Sequence, residues 1–136
     1  MANRWMTQFG LTMEKKVVNL YAKITFGSSG APTLVTSQSK GIVSVTRNTT
    51  GTYTFVFGTT SSKLDTYNKL LGVSSVFNTG GTTAPLAPEL WIQTDSTATA
   101  GTASLKVVTN YNKTATDPAS GEIGYFNFVF KDSTAP

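Results

Sequence analysis

Acid–base chemistry in this 136-residue chain falls to seven carboxylates, Glu14, Asp65, Glu89, Asp95, Asp117, Glu122 and Asp132, because histidine and cysteine are both absent. Without histidine there is no Ser-His-Asp triad, and without cysteine there is no Cys-His nucleophile. The usual zinc and transition-metal ligand sets are excluded for the same reason. Two carboxylates about 5 to 9 Å apart would suffice for a glycosidase. However, Asp65 reads as a helix-start residue and the others as solvated strand ends or loop positions, so no catalytic residue is expected.

Calcium needs only oxygens, but Asp95-Ser96-Thr97 and the stretch from Asn112 through Asp117 lack the dense carboxylate spacing of a calcium loop, and turn-forming Asp and Asn explain them better. The glycine-rich pieces at 27–30 and 79–82 neither open a helix nor precede a Lys-Ser/Thr pair, so they are not phosphate cradles. No cofactor and no metal is expected. Asn48-Thr49-Thr50 and Asn112-Lys113-Thr114 match the glycosylation acceptor pattern, as a threonine-rich chain does by chance.

The aromatic side chains leave a binding chemistry open. Trp91 falls on the strand face opposite Leu90 and Ile92, and Tyr125 opposite Phe126 and Phe128. Together with Tyr111 they are candidate platforms for a sugar ring. Burial in the core or at a subunit interface is the first expectation for such residues.

The elements that would position these residues are strands. Residues 41–57 form the clearest unit: Val43, Val45 and Arg47 alternate with Ile42, Ser44 and Thr46, and Tyr53, Phe55 and Phe57 alternate with Thr52, Thr54 and Val56. The polar Asn48-Thr49-Thr50-Gly51 between them ends in a glycine able to take positive φ, which predicts a hairpin. Residues 17–26 present Val18, Leu20, Ala22, Ile24 and Phe26 on one face, and residues 123–131 stack Phe126, Phe128 and Phe130. Shorter strands are expected at 31–35, 73–78, 89–95 and 102–110.

One segment changes period. Over 61–72, Leu64, Tyr67, Leu70 and Leu71 fall at helical spacing between Ser61 or Ser62 as N-cap and Gly72 as C-cap, predicting a short helix. About seven strands, one short helix and no strand–helix alternation predict an all-β fold, an antiparallel β-sandwich or jelly-roll-like barrel. The expected organisation is an N-terminal arm, 1–16, followed by a single β domain, 17–136.

Charged residues make up 13% of the chain, about half the share of an ordinary soluble domain, so the surface is neutral and rich in hydroxyls. The net charge of +4 is spread thinly, with no run longer than Lys15-Lys16. That pattern argues against a nucleic-acid partner. No stretch approaches membrane-span length and the first residues lack the apolar core of a signal peptide, so no membrane partner and synthesis in a cytoplasm are expected. The arm is rich in large apolar groups, and Arg4, Trp5, Met6, Phe9, Leu11, Met13, Lys15 and Lys16 are its candidate partner-binding residues. It either packs on its own domain or docks on a neighbour.

Within 26–71 the chain reads Phe26-Gly27 and Gly30-Ala31-Pro32-Thr33-Leu34, then Ser39-Lys40-Gly41-Ile42, Val45-Thr46-Arg47-Asn48 and Gly51-Thr52-Tyr53-Thr54-Phe55, followed by Tyr67 and Leu70-Leu71. This pattern resembles small virion structural proteins of tailed bacteriophages. The resemblance implies a capsid decoration or cement protein, located in the virion after assembly in the host cytoplasm. Its partners would be the major capsid protein and further copies of itself, in a homotrimer. A carbohydrate- or receptor-binding module of a tail or fibre is the alternative.

Overall fold

The computed structural model describes residues 17–58, 69–78, 89–97, 104–111 and 113–131. The arm and its candidate residues Arg4, Trp5, Met6, Phe9, Leu11, Met13, Lys15 and Lys16 lie outside them, as does the first part of the expected helix, 61–68.

Among the described residues, nine strands build two antiparallel sheets in a sandwich-like arrangement: β1 (Val17–Phe26), β2 (Pro32–Leu34), β3 (Ile42–Thr49), β4 (Thr52–Phe57), β5 (Lys69–Asn78), β6 (Glu89–Ser96), β7 (Ser104–Tyr111), β8 (Thr114–Ala115) and β9 (Ile123–Lys131). Sheet A has the order β2-β1-β9-β5, and sheet B the order β3-β4-β7-β6 with β8 added against β7. The chain changes sheet between β2 and β3, β4 and β5, β5 and β6, and β8 and β9. Strands distant in sequence therefore pair: β1 lies against β9 over nine residue pairs, from Val17↔Lys131 to Thr25↔Ile123.

The core is the set of inward faces that the alternation predicts. Leu20, Ala22, Ile24 and Phe26 of β1, Tyr53, Phe55 and Phe57 of β4, Leu105 and Val107 of β7, and Phe126, Phe128 and Phe130 of β9 are all buried. Rings from the two sheets interdigitate. Phe55 sits 5.0 Å from both Phe126 and Phe128, and Phe57 sits 4.9 Å from Phe128 and 5.1 Å from Phe130. Each tilted or edge-on pair adds about 0.5–1.5 kcal/mol beyond the area it buries, so these contacts hold the sheets in one register.

The expected helix does not continue over residues 69–72, which are the start of β5. The cause is a bulge. Leu70 pairs with Phe130 and Gly72 with Val129, leaving Leu71 as an extra residue that points outward and is exposed, while Leu70 and Val73 both pack on the core. A bulged strand places inward residues three apart, the same spacing as one turn of helix.

The same device corrects the hairpin. Between Ile42↔Phe57 and Ser44↔Val56 one residue, Val43, is unpaired; it is exposed, and Ile42 and Val45 pack inward instead. Further register shifts fall between Arg47 and Thr49 in β3 and between Ile92 and Thr94 in β6. Bulges on the outer strands β3, β5 and β6 twist sheet edges away from further pairing. The hairpin turn is also tighter than expected, since Thr49 pairs with Thr52 and only Thr50 and Gly51 remain to turn the chain.

Candidate functional site

The three expected sugar platforms are separated by the fold. Trp91 pairs with Val108, whose neighbours Val107 and Thr109 point into the core, so Trp91 belongs to the outer face of sheet B. Tyr125 lies between Lys23 of β1 and Val76 of β5, on the outer face of sheet A. Tyr111 ends β7, opposite Thr114. All three are exposed, Trp91 at 50% and Tyr125 and Tyr111 at 42% each. Of the expected core or subunit-interface burial of Trp91 and Tyr125, the core placement is thus corrected, and the three candidate platforms are separate surfaces. Both tyrosine and tryptophan sit at outward positions of the pleat, on the faces turned away from the core.

Around Tyr125 the outer face of sheet A forms a groove of about 310 Å³. Two rows of cross-strand neighbours build it: Tyr21–Asn127–Ser74 and Lys23–Tyr125–Val76. Gln38, from a 3-10 turn over Thr36–Gln38, closes one side. That turn is pinned to the edge of β1, where Tyr21 and Lys40 exchange backbone hydrogen bonds of 3.2 and 2.8 Å, Val35 N–H donates to the Lys23 carbonyl, and Lys23 N–H donates to Ser39 Oγ. The Lys23 ammonium donates to Gln38 Oε1 at 2.7 Å and lies 5.6 Å from the Tyr125 ring centroid. Tyr21 is 49% exposed. Asn127 contributes the one buried side-chain polar atom without a partner among the described residues, its Oδ1. The residues Tyr21, Lys23, Gln38 and Asn127 escaped sequence reasoning because their convergence depends on the β1–β9–β5 register. The only local sign was an aromatic at an outward position of β1.

A second polar cluster lies at the β3–β4 turn. Asp117 accepts hydrogen bonds from Arg47 Nε (3.0 Å) and Nη2 (2.7 Å), from Gly51 N–H (2.7 Å) and from the Tyr53 hydroxyl (3.0 Å). The Tyr53 hydroxyl also lies 3.0 Å from the Gly30 carbonyl. Asp117 is therefore not the solvated loop residue the sequence suggests; its side chain is 17% exposed and that of Arg47 29%. The Arg47 guanidinium holds the Asp117 carboxyl below its ordinary value, against the opposing effect of burial, with further help from Gly51 and Tyr53. Burial pushes the Tyr53 phenol well above its ordinary value, and the bond to Asp117 adds to that.

This cluster is a clasp whose groups bond to one another within the chain. It ties the segment after β8 to the hairpin and to the Gly30 turn. Thr109 reinforces it, its backbone N–H and Oγ1 meeting the Gly51 carbonyl at 2.7 and 3.2 Å while Thr116 N–H donates to the Thr109 carbonyl.

Two of the other described acids are also engaged locally. Asp95 Oδ1 accepts from Thr97 N–H and Oγ1, and Glu122 Oε2 accepts from Ala119 N–H. Among the described residues no three His, Cys, Asp or Glu side chains gather to hold a metal ion, and no helix is long and apolar enough to cross a membrane. No protein-family model, curated protein or solved structure matches the chain.

Proposed function

We propose that this protein is a non-enzymatic structural component of a tailed-phage virion, a decoration or cement protein that binds the outside of the capsid across subunit joints. The observation that carries this reading is the β6 edge. Trp91 and Ile92 are consecutive, so the pleat sends them to opposite faces, yet each is 50% exposed. An outermost strand with large apolar groups uncovered on both sides favours docking on another protein. Val43 and Leu71, exposed at bulges on the other outer strands, extend the same character. The resemblance of 26–71 to small virion proteins points the same way, and the engagement of Asp95, Asp117 and Glu122 in local hydrogen bonds suits a protein that binds by shape.

In this reading several copies sit together, as a homotrimer, each making weak contacts that sum to strong attachment. The arm anchors a neighbour through Trp5 and Phe9, each worth on the order of 2 kcal/mol if buried at the interface, while Lys15 and Lys16 steer it toward an acidic shell. Co-sedimentation with capsids tests the proposal. The full chain is expected to pellet with shells, Trp91→Ala combined with Ile92→Ser to weaken pelleting, and removal of residues 1–13 to abolish it. Full retention by the truncated chain rules out the arm as anchor, and failure of the intact chain to bind any capsid overturns the reading. A carbohydrate- or receptor-binding module of a tail or fibre is the competing assignment, and the groove around Tyr125 is what favours it.

A further inference from the structure

We propose that the groove on the outer face of sheet A is a saccharide-binding site in which Tyr21 and Tyr125 supply the stacking surfaces and Gln38, Lys23 and Asn127 the polar contacts. The proposal rests on the carbohydrate-binding reading and is independent of the capsid one.

Three features of the groove argue for a sugar. The first is its surface. Tyr21 and Tyr125 stand on adjacent strands on the same face, offset by one pleat repeat: Tyr21 is opposite Asn127, and Tyr125 is opposite Lys23. Diagonal neighbours of this kind lie within reach of one bound group. A pyranose has apolar C–H faces and a rim of hydroxyls, and it needs a partner that is apolar in its middle and polar at its edge. Two tyrosine rings flanked by an amide, an ammonium and a serine provide that.

The second feature is Asn127. Its Oδ1 is closed off from solvent and has no donor, and an acceptor left so costs about 1–3 kcal/mol. Asn127 lines the groove, and a rotation of its side chain would bring this oxygen to a ligand hydroxyl, the donor it lacks. Because a hydroxyl both donates and accepts, it also suits the groove if the Asn127 amide is turned end for end.

The third feature is preorganisation. Lys23 is held between Gln38 Oε1 and the Tyr125 face, and Gln38 stands on a turn tied to β1 by backbone hydrogen bonds. The walls are in place before any ligand arrives, which lowers the entropy cost of binding. The volume of about 310 Å³ is at the small end of ligand sites and suits a short saccharide. A flat aromatic ligand would leave Gln38 and Asn127 unanswered. A nucleotide would bring several phosphate charges to a lining with one lysine.

The test is a glycan array followed by titration of the intact chain with the best hits, read by NMR shifts. Glucose, N-acetylglucosamine and glucuronate oligosaccharides are included as named probes. Saccharide binding is expected to fall at least about tenfold in Tyr125→Ala and in Tyr21→Ala, and also in Asn127→Ala, with Trp91→Ala unchanged. Tyr21 and Tyr125 are exposed, so their replacement leaves the core intact, and circular dichroism of each variant verifies this. An array without hits, or a hit that survives both tyrosine substitutions, overturns the proposal. Capsid co-sedimentation of the same variants is read separately. If the two tyrosine substitutions abolish capsid binding, the groove is a protein contact and the saccharide assignment fails while the capsid reading stands.

Discussion

The clasp at the β3–β4 turn and the groove on sheet A are made from similar parts and differ in whether those parts are satisfied. Each has a tyrosine, a cation and a side-chain acceptor. In the clasp, Asp117 answers Arg47, Gly51 and Tyr53 together, and Tyr53 points inward with 2% exposure. In the groove, among the described residues, the cation meets an amide oxygen and a ring face, the tyrosines point outward, and one amide oxygen has no partner. A carboxylate facing the guanidinium closes the first site on itself. With no carboxylate in its lining, the second stays open. A saturated polar cluster holds a fold together, and an unsaturated one on a rigid sheet is available to a ligand.

Among the clasp's polar groups, the largest loss is expected at Asp117. Asp117→Ala leaves the Gly51 N–H and the Tyr53 hydroxyl short of their carboxylate acceptor, and the loss of these two charge-assisted bonds is expected to cost about 3 kcal/mol, the partly exposed Arg47 pair adding little. That is a drop of roughly 10 °C or more in melting temperature for a domain of this size, measurable by calorimetry. A loss under about 1 kcal/mol would show that the clasp is ornamental. Saccharide binding, if present, is expected to survive in the fraction that remains folded.

Gly51 comes next. It has φ of +66°, and a Cβ there would lie 2.6 Å from Thr116 N and 2.7 Å from the Thr109 carbonyl oxygen. Both are backbone atoms held by the clasp, so neither yields. Gly51→Ala is expected to cost about 2 kcal/mol, from left-handed strain with added crowding. Equilibrium unfolding in urea reads this directly, and an unchanged midpoint would mean that the turn relaxes freely.

The clasp also sets a pH window. Asp117 is held below its ordinary value, so its contribution is present above the usual carboxylate range and is lost as the pH falls through the lowered value. Tyr53 is displaced upward, so its contribution is complete below the ordinary phenol value of 10.0 and declines as the pH rises beyond it. Stability is expected to be flat between these limits and to fall on both sides. Asp117→Asn should flatten the acid limb, and Tyr53→Phe, at a cost of about 1 kcal/mol for its hydrogen bond, the alkaline one. Melting curves from pH 3 to 11, chosen to bracket the ordinary carboxylate and phenol values, test both.

The sequence shows the strands clearly and their edges poorly. Alternation in 17–26, 52–57 and 123–131 identifies the buried faces of β1, β4 and β9 residue by residue, because these strands are central and unbroken. The edge strands mislead. At Val43 and Leu71 a bulge resets the alternation, so Ile42 and Val45, and Leu70 and Val73, share a face that a strict period of two denies them. Over 61–72 the helical spacing of Leu64, Tyr67, Leu70 and Leu71 predicts a helix, and Leu70 and Leu71 instead belong to a strand whose bulge only the pairing with β9 reveals. The sites were harder still. Arg47 and Asp117 are 70 residues apart, and Tyr21 and Tyr125 meet only through the β1–β9 pairing. Tyr125 was recognisable as outward-facing; the neighbours that make it a candidate site depend on tertiary register.

The smallest expected effect is the one that separates the two regions most cleanly. Tyr125→Ala removes an exposed ring that meets the Lys23 ammonium only through a contact of 5.6 Å to its centroid, so stability should change by no more than about 0.5 kcal/mol. The same truncation at Tyr53 strips a buried ring and its hydroxyl from the clasp and is expected to cost several kcal/mol. If Tyr125→Ala were as damaging, the outer face of sheet A would be structural, and its open valences would need an explanation inside the fold. If stability holds while saccharide affinity falls, the residue serves a partner. The two tyrosines then differ in role for one physical reason, which is the direction the pleat gives each of them relative to the core.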